Sequence, residues 1–194
     1  AIMQLLGTVL ANPFYEKLRT DLQLGYIVNA GAFSLLDTSG LIMYIESPVA
    51  DPLVLEANID AFLASFTQEL KQMDEAAFND IKSGLLTTLR EPVQRLSSLS
   101  SRYWSDIVIG EFEEDSTLQL ASAIEALTQD EIIAYYQQEV VTDSAGRLVS
   151  RTAGREMRAA FLQARTEASD AVILDGGYTA YRLFKQQAQY YEFR

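Results

Sequence analysis

A single strand-forming region interrupts a chain that is otherwise patterned as helix, and this arrangement limits the folds available to it. The runs YIVNAGAF (26–33) and LIMYIES (41–47) are rich in Ile, Val, Tyr and Phe and flank turn residues at 37–40. Such runs predict an antiparallel strand pair. Helical patterns on both sides of the pair then predict an α+β fold, with helices packed on one face of a mixed or antiparallel sheet.

The helices can be placed from apolar spacing and from their start signals. Residues 2–20 predict a helix that Pro13 should kink or split, because proline lacks a backbone N–H. Asp51 before Pro52 predicts the start of a helix that extends to about Lys71. Further helices are predicted over 74–91, over 93–109, and from two capping boxes that begin at Ser116 and Thr128.

The region after residue 145 carries weaker signals. The segment GRLVSRTAG (146–154) predicts a short strand, and residues 155–165 predict a helix. A hairpin plus one strand makes a narrow sheet, so we expect that a first strand is missing and that the chain, which does not begin with Met, is a piece of a longer protein. We place one domain at 1–155, with 156–194 as a C-terminal extension packed on the same domain.

Composition excludes several classes of function. The formal net charge is -12, which argues against nucleic-acid binding, because phosphate backbones require clustered Lys and Arg. No apolar run approaches the roughly 20 residues that a membrane-spanning helix needs. The chain contains neither Cys nor His, which excludes disulfides, thiol catalysis and histidine-based triads. The same absence argues against a catalytic zinc ion held by this chain alone.

Two clusters of side chains have structural explanations. One is acidic and lacks the alternating ligands and central glycine of a calcium loop, so we interpret it as a solvated turn rather than a metal site. The other is aromatic and follows helical spacing, so we interpret it as core rather than as a ligand box. The acidic residues are Glu111, Glu113, Glu114 and Asp115, and the aromatic residues are Tyr103, Trp104, Tyr135 and Tyr136.

The segment LRTDLQLGYIV (18–28) places Arg19 and Tyr26 across the predicted helix end and strand start. A cation near a helix C-terminus interacts well with the helix dipole, and a strand tyrosine can bury its ring, so both residues have an ordinary structural explanation. The functional alternative is a clamp in which a guanidinium and a phenol donate to one carbonyl or oxyanion. The residues alone favour the structural explanation and leave the clamp open.

The longer segment FYEKLRTDLQLGYIV resembles the hallmark of the C-terminal half of the pitrilysin and insulin-degrading-enzyme (insulinase) family of zinc metallopeptidases. QMDEAAFNDIKSGLL, SRYWSDI and LTQDEIIAYYQQEV follow in the order found in that family, so the resemblance covers about residues 1–155. It implies the last of four homologous α+β units around a closed chamber, with the zinc ion and its HxxEH motif in the first unit. The implied partners are the N-terminal domains of the same polypeptide and peptide substrates.

The resemblance also implies roles for individual residues. Arg19 and Tyr26 match family positions that contact the substrate near the scissile carbonyl and stabilise the tetrahedral intermediate. Tyr15 matches an aromatic position of the substrate pocket, where phenylalanine is familiar. We expect Gly25 to allow a sharp turn between the two donors and the Gln23 amide to anchor that turn.

The resemblance finally bears on activity and location. It implies that the chain is inactive alone, and that its parent, like bacterial relatives, is periplasmic or exported. The same fold also occurs in non-catalytic halves, so a binding or scaffolding domain that holds a peptide or partner is the alternative.

Overall fold

The computed structural model describes residues 1–35, 38–110, 116–142 and 145–154, and in these ranges it confirms the α+β class. The helices and strands of these described ranges lie in the compact unit Ala1–Thr152. Two π-helical segments, Glu16–Asp21 and Tyr136–Val140, directly continue the first and last helices. The elements are α1 (Ile2–Tyr15), β1 (Ile27–Leu35), β2 (Thr38–Glu46), α2 (Pro52–Gln72), α3 (Glu75–Arg90), α4 (Leu96–Ile109), α5 (Ser116–Ala126) and α6 (Gln129–Tyr135).

Helix α1 passes through Pro13 without being split, contrary to one of the two outcomes predicted for this residue. Proline removes one backbone donor, but the N–H of Glu16 bonds to the carbonyls of Asn12 and Pro13, so hydrogen bonding resumes within a turn. Beyond Tyr15 the helix widens into the π-helical segment. The predicted helix of residues 2–20 is therefore one continuous element with two geometries.

Strands β1 and β2 pair antiparallel from Ile27 opposite Glu46 to Leu35 opposite Thr38. Residues 38–40, predicted to form part of the turn, belong to β2 instead, because the ladder continues to Leu35 opposite Thr38. Helix α1 lies very close to the hairpin: a Cβ atom added to Gly7 would stand 2.3 Å from the backbone nitrogen of Ala32. The hairpin thus packs directly against α1 at Gly7.

A column of four aromatic rings forms the centre of the core. Phe14 of α1 contacts Phe62 of α2 edge to face, with ring centroids 5.2 Å apart, and Phe62 stacks on Phe66 at 5.4 Å. Phe66 meets Tyr136 edge to face at 5.5 Å. The Tyr136 hydroxyl donates to the Leu63 carbonyl at 2.7 Å, so the one polar atom of the column is satisfied.

The prediction that Tyr103, Trp104, Tyr135 and Tyr136 belong to the core is partly wrong. Tyr136 is fully buried and Tyr135 half-buried, but Tyr103 and Trp104 are 50% and 65% exposed on α4. Helical spacing groups residues on one face, yet it does not say whether a neighbouring element covers that face.

The predicted helix starts agree closely with the structure. Asp51 caps α2 by accepting a hydrogen bond from the Leu53 N–H at 2.8 Å. Thr128 and Glu131 form the predicted capping box at the start of α6. Helix α4 begins at Leu96, three residues later than predicted, after the non-helical stretch that follows Pro92.

The strand predicted at 146–154 is wrong: residues 145–154 form neither helix nor strand. Their arginines instead pair with carboxylates of α2. Arg147 lies 3.1 Å from Glu56 and 2.7 Å from Asp60, and Arg151 Nη2 donates to Glu56 at 2.7 Å. The segment is thus held by side-chain ion pairs along a helix rather than by a strand ladder. The acidic cluster at 111–115, the helix at 155–165 and the extension at 156–194 lie outside the described residues.

Candidate functional site

The segment between α1 and β1 reverses the chain over a few residues and is held mainly by backbone hydrogen bonds. The N–H of Leu22 donates to the Lys17 carbonyl at 3.0 Å, and the N–H of Leu24 donates to the Leu18 carbonyl at 2.9 Å. Gln23, between them, has a φ of 51°, in the left-handed region that favours glycine. Its amide makes no hydrogen bond to another described residue, so the predicted anchoring by Gln23 finds no support.

The need for glycine at position 25 comes from close packing and not from a positive φ. Its φ is not positive, since Gly110 is the positive-φ glycine among the described residues. A Cβ atom at Gly25 would instead stand 2.4 Å from the Glu46 carbonyl oxygen and 2.9 Å from Ile45 Cγ2. The next residue, Tyr26, donates its N–H to that same Glu46 carbonyl at 3.0 Å. Gly25 therefore allows the turn to pack against the end of β2.

Arg19 lies on the π-helical segment and points back to the turn. Its Nη1 donates to the Gly25 carbonyl at 2.5 Å, and its side chain is partly buried. Its Nε and Nη2 make no hydrogen bond to another described residue. The guanidinium is thus fixed at one nitrogen, and its other donors can serve a further acceptor.

Tyr26 belongs to a cluster with Tyr44 and Glu46. The Tyr26 hydroxyl donates to Glu46 Oε2, and the Tyr44 hydroxyl donates to Oε1 of the same carboxylate. These hydrogen bonds raise the pKa of both tyrosines and lower the pKa of Glu46, so at neutral pH two neutral phenols surround an ionised carboxylate. The rings of Tyr26 and Tyr44 are 57% and 47% exposed.

Sequence reasoning missed Tyr44 and Glu46. The available signal was their i, i+2 spacing, which places two strand residues on one face of a sheet. That signal becomes specific only with the register, because Glu46 lies opposite Ile27 and so next to Tyr26. The hairpin register could not be fixed without knowing where the turn is.

The structure brings Arg19 and Tyr26 to one turn without joining their side chains. Arg19 binds the carbonyl of Gly25, and Tyr26 is the next residue along the chain. Tyr15, 44% exposed at the end of α1, has no hydrogen bond or ring contact to either of them. Arg19 and Tyr26 therefore lie on one turn that contacts both α1 and β2, whereas Tyr15 lies apart from them on the helix.

Chemically, the turn offers one permanently charged donor and one neutral hydroxyl donor on a solvent-accessible surface. Such a pair suits an oxygen acceptor that gains negative charge. Within the residues that the structure describes, no group of three His, Cys, Asp or Glu side chains is placed to hold a metal ion. None of the described helices is long and apolar enough to cross a membrane.

Comparison with known proteins gives one family and a consistent set of relatives. A family model described as "PQQ synthase PqqF-like, C-terminal lobe domain 4" matches residues 5–104. The chain is 29% identical to the insulin-degrading enzyme of Mus musculus over 145 residues, which covers 75% of this chain and 14% of that protein. It is 31% identical to the coenzyme PQQ synthesis protein F of Pseudomonas protegens over 138 residues, covering 71% and 16%.

Among solved structures, the crystal structure of pitrilysin superposes with a TM-score of 0.65 at 28% identity, covering 72% of this chain and 15% of that one. The shared fold supports the α+β assignment. This chain spans about one-seventh of the length of the relatives that it matches.

Proposed function

This chain belongs to the family of PqqF-like C-terminal lobe domains, domain 4, and we propose that it is the non-zinc-binding C-terminal domain of an insulinase-family metalloendopeptidase. The proposal is supported by relatives named insulin-degrading enzyme and pitrilysin. The residues of this chain do not fit a zinc site, because it has no His or Cys. We therefore assign the zinc ion and its HxxEH motif to the N-terminal domains of the same polypeptide. On this proposal the chain has no peptidase activity alone.

The main support for the proposal is that Arg19 and Tyr26 lie on the same turn. Arg19 donates to the Gly25 carbonyl, and Tyr26 follows Gly25 directly. In the proposed role both side chains donate to the substrate oxygen that becomes negatively charged as the peptide carbonyl turns tetrahedral. Preorganised donors of this kind are typically worth about 3 to 4 kcal/mol each. The turn packs against α1 and β2, and these contacts supply the rigidity that such donors need.

Other residues of the segment have supporting roles in the proposal. Gly25 keeps the turn against β2, and Gln23 contributes its left-handed backbone conformation. Tyr15 contributes an exposed ring to the peptide-binding surface. A periplasmic or exported location of the parent is part of the same proposal and rests on the family resemblance alone.

The test uses the full-length parent protein and a fluorogenic peptide. We expect Arg19→Ala and Tyr26→Phe each to lower kcat/KM by about 100-fold or more, since each removes one donor to the developing oxyanion. Arg95→Ala and Tyr103→Phe are matched controls, because both side chains are exposed and lie on or next to α4 rather than on the turn. Unchanged rates in both site variants would overturn the proposal.

Arg19 needs one further variant, because it also holds the Gly25 carbonyl. Arg19→Lys keeps a positive charge but loses the planar guanidinium with its fixed set of N–H donors. A rate loss in Arg19→Lys with an unchanged unfolding temperature assigns the effect to the donors. If the rate falls only in variants that also unfold at lower temperature, Arg19 acts through the turn and not on the substrate.

A binding or scaffolding function is the second candidate, and the outer face of the hairpin favours it. Phe33 and Ile42 are 45% and 48% exposed there, beside the exposed ring of Tyr44. Such a face, with strand edges next to it, can hold an extended peptide. The sequence upstream of this chain in the parent gene decides between the two functions. A parent that lacks an HxxEH motif followed by a downstream glutamate would favour binding over peptidase activity.

A further inference from the structure

The carboxylate of Glu46 is the acceptor for two phenols at once, and this arrangement bears on how Tyr26 can donate. Tyr26 occupies Oε2 and Tyr44 occupies Oε1. Among the described residues, no Lys or Arg forms an ion pair with Glu46. In the part of the chain that the structure describes, the hydroxyls of Tyr26 and Tyr44 are the groups that donate to this carboxylate.

A phenol has a single proton to donate. While Tyr26 donates it to Glu46, the same proton is not available to a substrate oxygen. An ionised carboxylate is a much stronger acceptor than a neutral peptide carbonyl, because charge-assisted hydrogen bonds are roughly twice as strong as neutral ones. A bound substrate in its ground state therefore does not compete well for Tyr26. An oxyanion, which carries comparable charge, does.

We propose that Glu46 is a positioning residue that withholds the Tyr26 hydroxyl from the ground-state carbonyl and releases it to the oxyanion of the transition state. This inference rests on the proposed function. Tyr44 completes the exchange, because it still donates to the carboxylate when Tyr26 leaves, so Glu46 is not left without a donor. The contact thus keeps this donor from strengthening the binding of the ground state, while formation of the oxyanion must break the hydrogen bond between Tyr26 and Glu46.

The proposal predicts an unusual kinetic effect of Glu46→Gln. The amide oxygen of glutamine is a neutral acceptor, so the substrate carbonyl can compete with it for Tyr26. Binding of the ground state and of the transition state then both strengthen, because neither has to take the Tyr26 proton from a carboxylate. We expect KM to fall and kcat/KM to rise, each by roughly two- to fivefold, the range of an exposed charged hydrogen bond, without a fall in kcat. A residue that merely supports the fold would lower kcat/KM instead.

The measurement compares full-length Glu46→Gln with the wild-type parent and with Glu91→Gln, a control that neutralises an exposed glutamate on the connection after α3. The same substitution is then repeated in the Tyr26→Phe background. We expect the fall of KM and the rise of kcat/KM to disappear there, because Glu46 acts through the Tyr26 hydroxyl. Either effect persisting without this hydroxyl, or a raised or unchanged KM in the single variant, would overturn the proposal.

A second readout does not depend on activity. In the full-length parent carrying tyrosine labelled with ¹³C at Cζ, the resonance lost in Tyr26→Phe identifies Tyr26. Glu46 raises the pKa of Tyr26, so Glu46→Gln is expected to move that titration to lower pH. An unmoved titration would mean that the contact does not form. A moved titration with Tyr26→Phe fully active would leave the contact standing and refute the proposed function instead.

Discussion

At the scale of single residues, the turn between α1 and β1 depends on Gly25. A methyl group there would overlap the Glu46 carbonyl, a backbone atom that cannot rotate away. We expect Gly25→Ala to lower the free energy of unfolding by about 1 to 3 kcal/mol, as overpacking does elsewhere. Denaturant unfolding measures this loss. The peptidase activity that we propose for the parent should fall as well, because Arg19 binds the carbonyl of Gly25 itself.

Gly40→Ala is the matched control for this prediction. Gly40 lies in β2 of the same hairpin, and a Cβ atom added to it would meet nothing within 4 Å. We expect a stability change within about 0.5 kcal/mol, the usual range for surface substitutions. Equal stability of the two variants would show that β2 moves aside easily at Gly25 and that the close contact is not a constraint.

At the scale of elements, most helices and the hairpin could be predicted because their signals are local. Asp51 and Thr128 cap helices through residues two or three positions away, and such pairs are visible in the sequence. The prediction of a strand at 146–154 was wrong because the conformation of this segment depends on residues that are far away in the sequence. Arg147 and Arg151 pair with Glu56, more than 90 positions earlier in the chain, and local alternation carries no information about that partner.

The contact between α1 and β1 leads to a prediction about two helical glycines. Gly7 is buried against β1, where a Cβ atom would stand 2.3 Å from Ala32 N, whereas Gly84 is exposed on α3 with nothing within 4 Å. We expect Gly7→Ala to cost about 1 to 3 kcal/mol of unfolding free energy by forcing helix and strand apart. Gly84→Ala should add up to about 1 kcal/mol, because alanine favours helix.

Thermal or denaturant unfolding of both variants, with the wild type as reference, separates packing from helix propensity. Opposite signs are the expected result. Stabilisation by both substitutions would mean that α1 does not approach β1 as closely as the structure indicates.

At the scale of the whole molecule, the core was largely predictable but the site was not. Apolar periodicity identifies Phe14, Phe62 and Phe66 as inward-facing, and the structure joins them in one column. Arg19 and Tyr26 could be singled out only by family resemblance, because each has an ordinary structural explanation. The carboxylate that accepts the Tyr26 hydroxyl comes from the far end of β2, so only the folded hairpin brings Glu46 to it.

The aromatic column ends at Tyr136, whose hydroxyl joins the π-helical segment after α6 to α2. Tyr136→Phe removes the hydrogen bond to the Leu63 carbonyl and should lower the unfolding free energy by about 1 kcal/mol at neutral pH. Burial, helped by the charge of Glu69, raises the pKa of Tyr136 above its ordinary value of 10.0. The folded state therefore retains this proton more strongly than the unfolded state does.

The stability that comes from this retained proton is fully present below pH 10 and is lost as the pH rises above that value. Tyr136→Phe lacks the ionisable group, so its stability should decline less steeply above about pH 10 than that of the wild type. Denaturant unfolding at a series of alkaline pH values measures the two slopes. Tyr103→Phe, at a half-exposed position, should reproduce the wild-type slope. Parallel curves for wild type and Tyr136→Phe would mean that Tyr136 ionises as readily in the folded protein as in the unfolded chain.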